Sequence, residues 1–140
     1  MSASVHDCVG ALLVRDGRIL LGRRSEDCDW LAGAWDVFGG HVEPGESGPG
    51  ALHRELREEL GIGPLSTRYL ARIDGSAPEP WRLRLYLITR WRGEPVNRAE
   101  HAEIRWCALD EAQQRLRDAH PRFPELLSGA LDSVRKLEHP

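Results

Sequence analysis

Gly40-His41-Val42-Glu43-Pro44-Gly45-Glu46-Ser47-Gly48-Pro49-Gly50-Ala51-Leu52-His53-Arg54-Glu55-Leu56-Arg57-Glu58-Glu59-Leu60-Gly61-Ile62 is the stretch on which the reading of this chain turns. Glu43-Pro44-Gly45-Glu46 has the chemistry of a turn, and Ser47 that of a helix cap. A helix is expected from there to about Leu60, closed by Gly61. Within it Glu55, Glu58 and Glu59 fall at i, i+3 and i+4, so three carboxylates share one face inside a single turn. Each like-charged pair at that spacing costs the helix a few tenths of a kcal/mol unless something positive sits between them. Leu52, Leu56 and Leu60 form the neighbouring apolar stripe, which would anchor the helix to a sheet and leave the glutamates facing a groove. Crowded hard oxygen donors with room for water suit Mg²⁺ or Mn²⁺. The competing explanation is a solvated acidic helix whose Arg54 and Arg57 pair with neighbouring glutamates.

Upstream of this stretch, Val5 to Val14 is largely apolar, Asp16-Gly17 is a two-residue turn signal, and Arg18 to Gly22 is apolar again, which predicts a β-hairpin. Arg23 to Gly33 reads as a loop, and Ala34 to Phe38 as a short strand ending at Gly39-Gly40, where backbone is able to approach closely. Downstream, Leu65 to Ile73 and Trp81 to Trp91 are expected strands around the proline-rich loop Asp74 to Pro80. Ile104 to Leu109 is a further short strand. Asp110 starts a helix through about Arg117, Pro121 breaks it, and a last helix covers Glu125 to Lys136. No repeat or linker interrupts residues 1–140, which read as a single domain. The order β-β-β-α-β-β-β-α implies an α/β fold, an α/β/α sandwich around a mixed β-sheet, because every element must bury one side.

The bulk numbers narrow the function classes. A chain of 140 residues, 41% apolar and 29% charged, is able to bury a core without cross-links. No apolar run approaches the roughly 20 residues a membrane helix needs. The start MSASVHDC lacks a basic segment followed by an apolar one, so a cytoplasmic location is expected. Cys8, Cys28 and Cys107 are odd in number and lack zinc-site spacing, and are read as reduced thiols. A formal net charge of −3 argues against stable nucleic-acid binding. The cations are nevertheless arginines apart from Lys136, and an arginine fork matches phosphate oxygens, although compositional bias is the preferred account of the overall excess.

Gly40, Glu46 and the run Arg54-Glu55-Leu56-Arg57-Glu58-Glu59-Leu60-Gly61-Ile62, at these spacings, fill every defining position of the Nudix box, and the chain resembles the Nudix hydrolase family. Trp35-Asp36-Val37-Phe38-Gly39-Gly40 resembles the strand that enters that box, with Phe38 where a proline is common. The resemblance implies a Nudix-type sandwich and a pyrophosphohydrolase dependent on Mg²⁺, with Mn²⁺ able to substitute. Carried over by position, Glu58 and Glu59 would be the principal metal ligands, with the Gly39 carbonyl a further one. Glu55 would be a ligand or the general base, Arg54 would orient the glutamates, and Glu46 would pair with Arg54 or reach a metal through water. The cluster Glu100, His101 and Glu103 would supply one more ligand or a base, with Glu103 the favoured member, the alternative being a merely solvated cluster. Arg23 and Arg24 are candidates for phosphate contact or plain surface arginines, and Trp35 a candidate for stacking on a base.

The resemblance also implies the partner, a small-molecule nucleotide in which a diphosphate links a nucleoside to another group. Trp91-Arg92-Gly93-Glu94-Pro95 with Trp106 resembles the MutT-like branch, which converts nucleoside triphosphates, oxidised deoxynucleotides among them, to monophosphate and pyrophosphate. Pro78, sixteen residues beyond the box, has the spacing of ADP-ribose pyrophosphatases, so an ADP-ribose or nucleotide-sugar substrate is the alternative. Only a few residues precede the first expected strand, unlike in many ADP-ribose enzymes, and a monomer or homodimer is expected. A non-catalytic nucleotide-binding sensor is disfavoured by the intact glutamates, and an RNA-cap hydrolase by the lack of a basic surface.

Overall fold

The computed structural model describes residues 4–27, 31–99 and 101–138; Cys28, Trp30 and Glu100 lie outside them. Strand β1 (His6–Arg15) runs through the middle of the sheet. Val9, Ala11 and Leu13 point to one face and Leu12 and Val14 to the other, all buried, which is why this segment reads as a continuous apolar run. Asp16 (φ +53°) and Gly17 (φ +72°) turn the chain into β2 (Arg18–Arg23), and positive φ at both centres is what a tight right-twisted hairpin needs.

β1 and β2 pair only near their turn, with Val14 opposite Ile19 and Arg15 opposite Arg18. The next segment enters the space between them. β3 (Trp35–Asp36) pairs with β2, and β4 (Phe38–His41) with β1 from Cys8↔His41 to Ala11↔Phe38. The single strand expected over Ala34 to Phe38 is therefore two short ones. The break falls at Val37, whose N–H bonds the Asp36 carboxylate at 2.7 Å.

Helix α1 (Gly48–Leu60) has the expected limits: Ser47 accepts from the Gly50 N–H, and Gly61 closes the helix at φ +70°. β6 (Arg68–Gly75) and β7 (Trp81–Ile88) complete the sheet. β7 runs parallel to β1 from His6↔Trp81 to Leu13↔Ile88, and every other recorded pairing is antiparallel, so the sheet is mixed. The long strand expected from Trp81 to Trp91 stops at Ile88. Trp91–Arg92 (β8) instead pairs with Gly63–Pro64 (β5), because Arg90 turns its carbonyl to the Leu65 N–H. β9 (Glu103–Cys107) pairs along β2, and α2 (Leu109–Leu116) and α3 (Phe123–Glu138) follow.

Two apolar clusters make the sandwich. Leu52, Leu56 and Leu60 of α1 are fully buried against Val9, Ala11, Leu13, Phe38 and Ile88. On the opposite face Leu116, Phe123, Leu127 and Leu131 cover Leu12, Val14, Leu21 and Leu85. Among the described residues no helix is long and apolar enough to cross a membrane.

Candidate active site

The site lies where α1 crosses β4, and two adjacent glycines shape it in different ways. Gly39 has φ +154°, and a Cβ there would run into the Val9 carbonyl oxygen of the neighbouring strand, so glycine lets β4 seat against β1. At Gly40 a Cβ would stand 2.5 Å from Glu55 Oε1, so the missing side chain there is the space the carboxyl occupies.

Arg54 ties the acidic residues together. Its Nε donates to Glu46 Oε2 at 2.8 Å and its Nη2 to Glu46 Oε1 at 2.9 Å, while Nη1 reaches Glu55 Oε1 at 2.9 Å and Nη2 also the His41 carbonyl at 3.0 Å. A planar fork with five donors is able to serve four such acceptor atoms at once. The Arg54 hydrogen bonds, followed by that from the Glu43 N–H, hold the Glu46 carboxyl down at about 2. Glu58 reaches Arg54 at 3.5 Å and is largely exposed.

Glu59 is in a different situation. Burial, then hydrogen bonding to Glu55 and the charge of Glu55, push its carboxyl up to about 8, with a further push from Asp36 and an opposing hydrogen bond from the Gly39 backbone. At neutral pH the Glu55–Glu59 pair therefore retains a proton where a cation would neutralise both charges. An all-oxygen donor set beside a glycine cradle suits a hard divalent ion. The structure brings Glu55 and Glu59 together at Gly39, with Glu58 turned toward Arg54. Among the described residues no ready group of three or more His, Cys, Asp or Glu is arranged around a metal position.

The remaining candidates divide. Glu103 sits opposite Arg23 across β2 and β9 and accepts from its Nε at 3.2 Å, while Arg23 also reaches Glu26 at 3.2 Å, so Glu103 is joined to Arg23 rather than to the box glutamates. Arg24 lies 3.8 Å from Asp36. Trp35 packs toward the α2 side with the Arg115 guanidinium 4.1 Å over its ring centre, so one ring face is already covered. His101 lies against Phe38, ring centres 5.2 Å apart, in room that Gly22 leaves, and burial first and Arg24 second lower its pKa.

Two residues of this neighbourhood carried weak sequence signals. Asp36, given no role above, adds its negative charge to the field that raises the Glu59 carboxyl; an acid interrupting an otherwise apolar strand end was its only mark. His101 was grouped with Glu103, yet only the fold puts it behind Phe38, with Asn97 bonded to both its N–H and its carbonyl.

Comparison with known proteins gives a consistent result. Residues 5–127 match the NUDIX domain family. A CTP pyrophosphohydrolase of Escherichia coli K12 is 38% identical over 112 residues, which is 77% of this chain and 79% of that protein. An 8-oxo-dGTP diphosphatase of the same organism is 33% identical over 102 residues, 72% of this chain and 78% of that protein. The crystal structure of a MutT NUDIX hydrolase from Burkholderia pseudomallei aligns with a TM-score of 0.76 at 34% identity, covering 94% of this chain and 99% of that one. With the family matched over most of its length and the glutamate helix set against its glycine cradle, the chain belongs to the Nudix hydrolases.

Proposed function

We propose that this chain hydrolyses nucleoside triphosphates, oxidised deoxynucleotides included, to monophosphate and pyrophosphate, using Mg²⁺ or in its place Mn²⁺. The observation that carries this reading is the packing of Glu59 against Glu55 beside Gly39 and Gly40, where burial first and Glu55 second push the Glu59 carboxyl up to about 8, a costly arrangement that a divalent ion relieves. Glu58 and Glu59 with the Gly39 carbonyl are the oxygen donors that would hold the ion, leaving Glu55 as the base. When bound, such an ion polarises phosphoryl oxygens and lowers the pKa of a bound water.

The chain's own residues do the rest. Arg54, fixed by its two hydrogen bonds to Glu46, holds the Glu55 carboxylate in place. Glu55 takes the proton of the attacking water as its oxygen joins phosphorus; the P–O–P bond breaks and pyrophosphate departs. Arg24, beside Asp36, and Arg23, held by Glu103, would be the arginines that meet substrate phosphate oxygens. Trp35, half covered by Arg115, offers at most its other face to a base. The same reading has the protein acting on free nucleotides in the cytoplasm as a monomer or homodimer.

The choice of triphosphates is supported by the names of the two relatives above, a CTP pyrophosphohydrolase and an 8-oxo-dGTP diphosphatase. The test is a panel of nucleoside triphosphates, oxidised deoxynucleotides, ADP-ribose and nucleotide sugars, assayed with each metal and with products identified. Monophosphate and pyrophosphate from triphosphates are expected. Turnover of ADP-ribose or nucleotide sugars alone would replace the substrate assignment, and no turnover of any compound would favour a binding domain.

A further inference from the structure

A second charged site lies on the α1 side of the sheet. A cavity of about 260 Å³ is lined by Asp7, Arg72, Arg82 and Arg84, and no glutamate of the α1 region lines it. Arg72 and Arg84 stand directly opposite each other on antiparallel strands, an arrangement that destabilises a sheet when both side chains carry the same charge. Their carboxylates are too few. Asp7 alone serves Arg82 at 3.2 Å and Arg84 at 3.3 Å, and Asp74 serves Arg72 at 3.2 Å, so three cations meet two anions. These contacts are longer than the roughly 2.7–2.9 Å of a well-made charge-assisted hydrogen bond. The Arg84 guanidinium also abuts the start of α1, where a Cβ on Gly48 would come within 2.9 Å of it, so the positive end of that helix adds to the excess.

We propose that this cavity binds a diphosphate group, free or borne by a small molecule, at a place distinct from the glutamate cluster. The chemistry is that of arginine forks closing on phosphate oxygens, with Asp7 as the internal competitor that holds Arg82 and Arg84 when the site is free. The volume suits a diphosphate group: it falls below the roughly 300 Å³ at which drug-sized pockets begin, so the phosphates fill the cavity and any nucleoside they carry lies outside it. All three arginines are partly exposed, so a ligand has access from solvent. This inference is independent of the reaction proposed above.

The test is calorimetric titration of the full chain with pyrophosphate, and separately with ADP, in low salt and a chelator, so that the acidic site repels both anions. One-site binding is expected, weakened at least tenfold in Arg72→Gln/Arg82→Gln and unchanged in Glu55→Gln/Glu59→Gln. Asp7→Asn should bind severalfold more tightly, a gain that a poorly folded variant does not produce. Arg135→Gln, an exposed cation far along α3, should match the wild type. ADP binding as well as pyrophosphate would show that the diphosphate can be nucleotide-borne, and pyrophosphate alone that it is free. No binding to the wild type, equal loss in Arg135→Gln, or loss in Glu55→Gln/Glu59→Gln would each overturn the proposal.

Discussion

Replacing Gly40 by alanine puts a methyl group 2.5 Å from Glu55 Oε1, 2.6 Å from its Cδ and 2.8 Å from Oε2. Ordinary van der Waals contact begins near 3.4 Å, so the carboxyl must retreat by about 0.9 Å. The obstructing group is the end of a flexible side chain, and the backbone at Gly40 is not in the left-handed region, so the fold yields at little cost. A displacement of about 1 Å at a reacting group costs on the order of 100-fold in rate. Gly40→Ala is therefore expected to lower kcat about 100-fold while its unfolding midpoint stays within about 3 °C of the wild type. Gly39→Ala, one residue away, meets backbone rather than side chain and carries a strained φ, and should lose about 3 kcal/mol or more of stability. The assays are pyrophosphate release on the preferred substrate and thermal unfolding followed by circular dichroism. Wild-type turnover in Gly40→Ala, or wild-type stability in Gly39→Ala, would refute the division of labour between the two glycines.

Four further outcomes follow from the same geometry. Glu58→Gln/Glu59→Gln should cut kcat by orders of magnitude with the fold retained, and near wild-type turnover would remove the metal-site reading. Arg54→Lys, which keeps the charge and loses the fork on Glu46 and Glu55, should lower kcat at least tenfold in steady-state assays; an unchanged kcat would show that orientation by Arg54 is unimportant. In chelator, the raised Glu59 carboxyl favours the folded state fully below its ordinary value of 4.5, and that contribution is lost as pH rises through about 8. The wild-type melting midpoint should fall across that window relative to Glu59→Gln, whereas parallel curves would count against it. Leu56→Ala, fully buried under α1, should cost about 2–5 kcal/mol in denaturant titration, and a loss below 1 kcal/mol would mean α1 is not held by its leucine stripe.

The elements legible in the sequence are those whose causes are local. Ser47, Gly61 and the leucine spacing mark α1 because capping and helical periodicity act within a few residues, and Asp16-Gly17 marks the hairpin for the same reason. The segment from Ala34 to Phe38 shows the opposite case. Its division into β3 and β4 depends on β1 and β2 parting beyond their turn, which no residue within the segment announces. Trp91 likewise left the long strand for a partner at Pro64, almost thirty positions earlier.

By itself the sequence determined the α/β class, the limits of the glutamate-bearing helix, the family and which carboxylates share its face, since spacing along a helix converts directly into a shared face. Only the tertiary structure decided which of those groups meet. It paired Glu59 with Glu55 and left Glu58 near the surface, joined Glu103 to Arg23, and laid Arg115 over Trp35. It also gathered Asp7, Arg72, Arg82 and Arg84 from three strands around one cavity. Contacts between residues this far apart in the chain are set by strand register and layer packing, and these depend on the whole sheet rather than on any one motif.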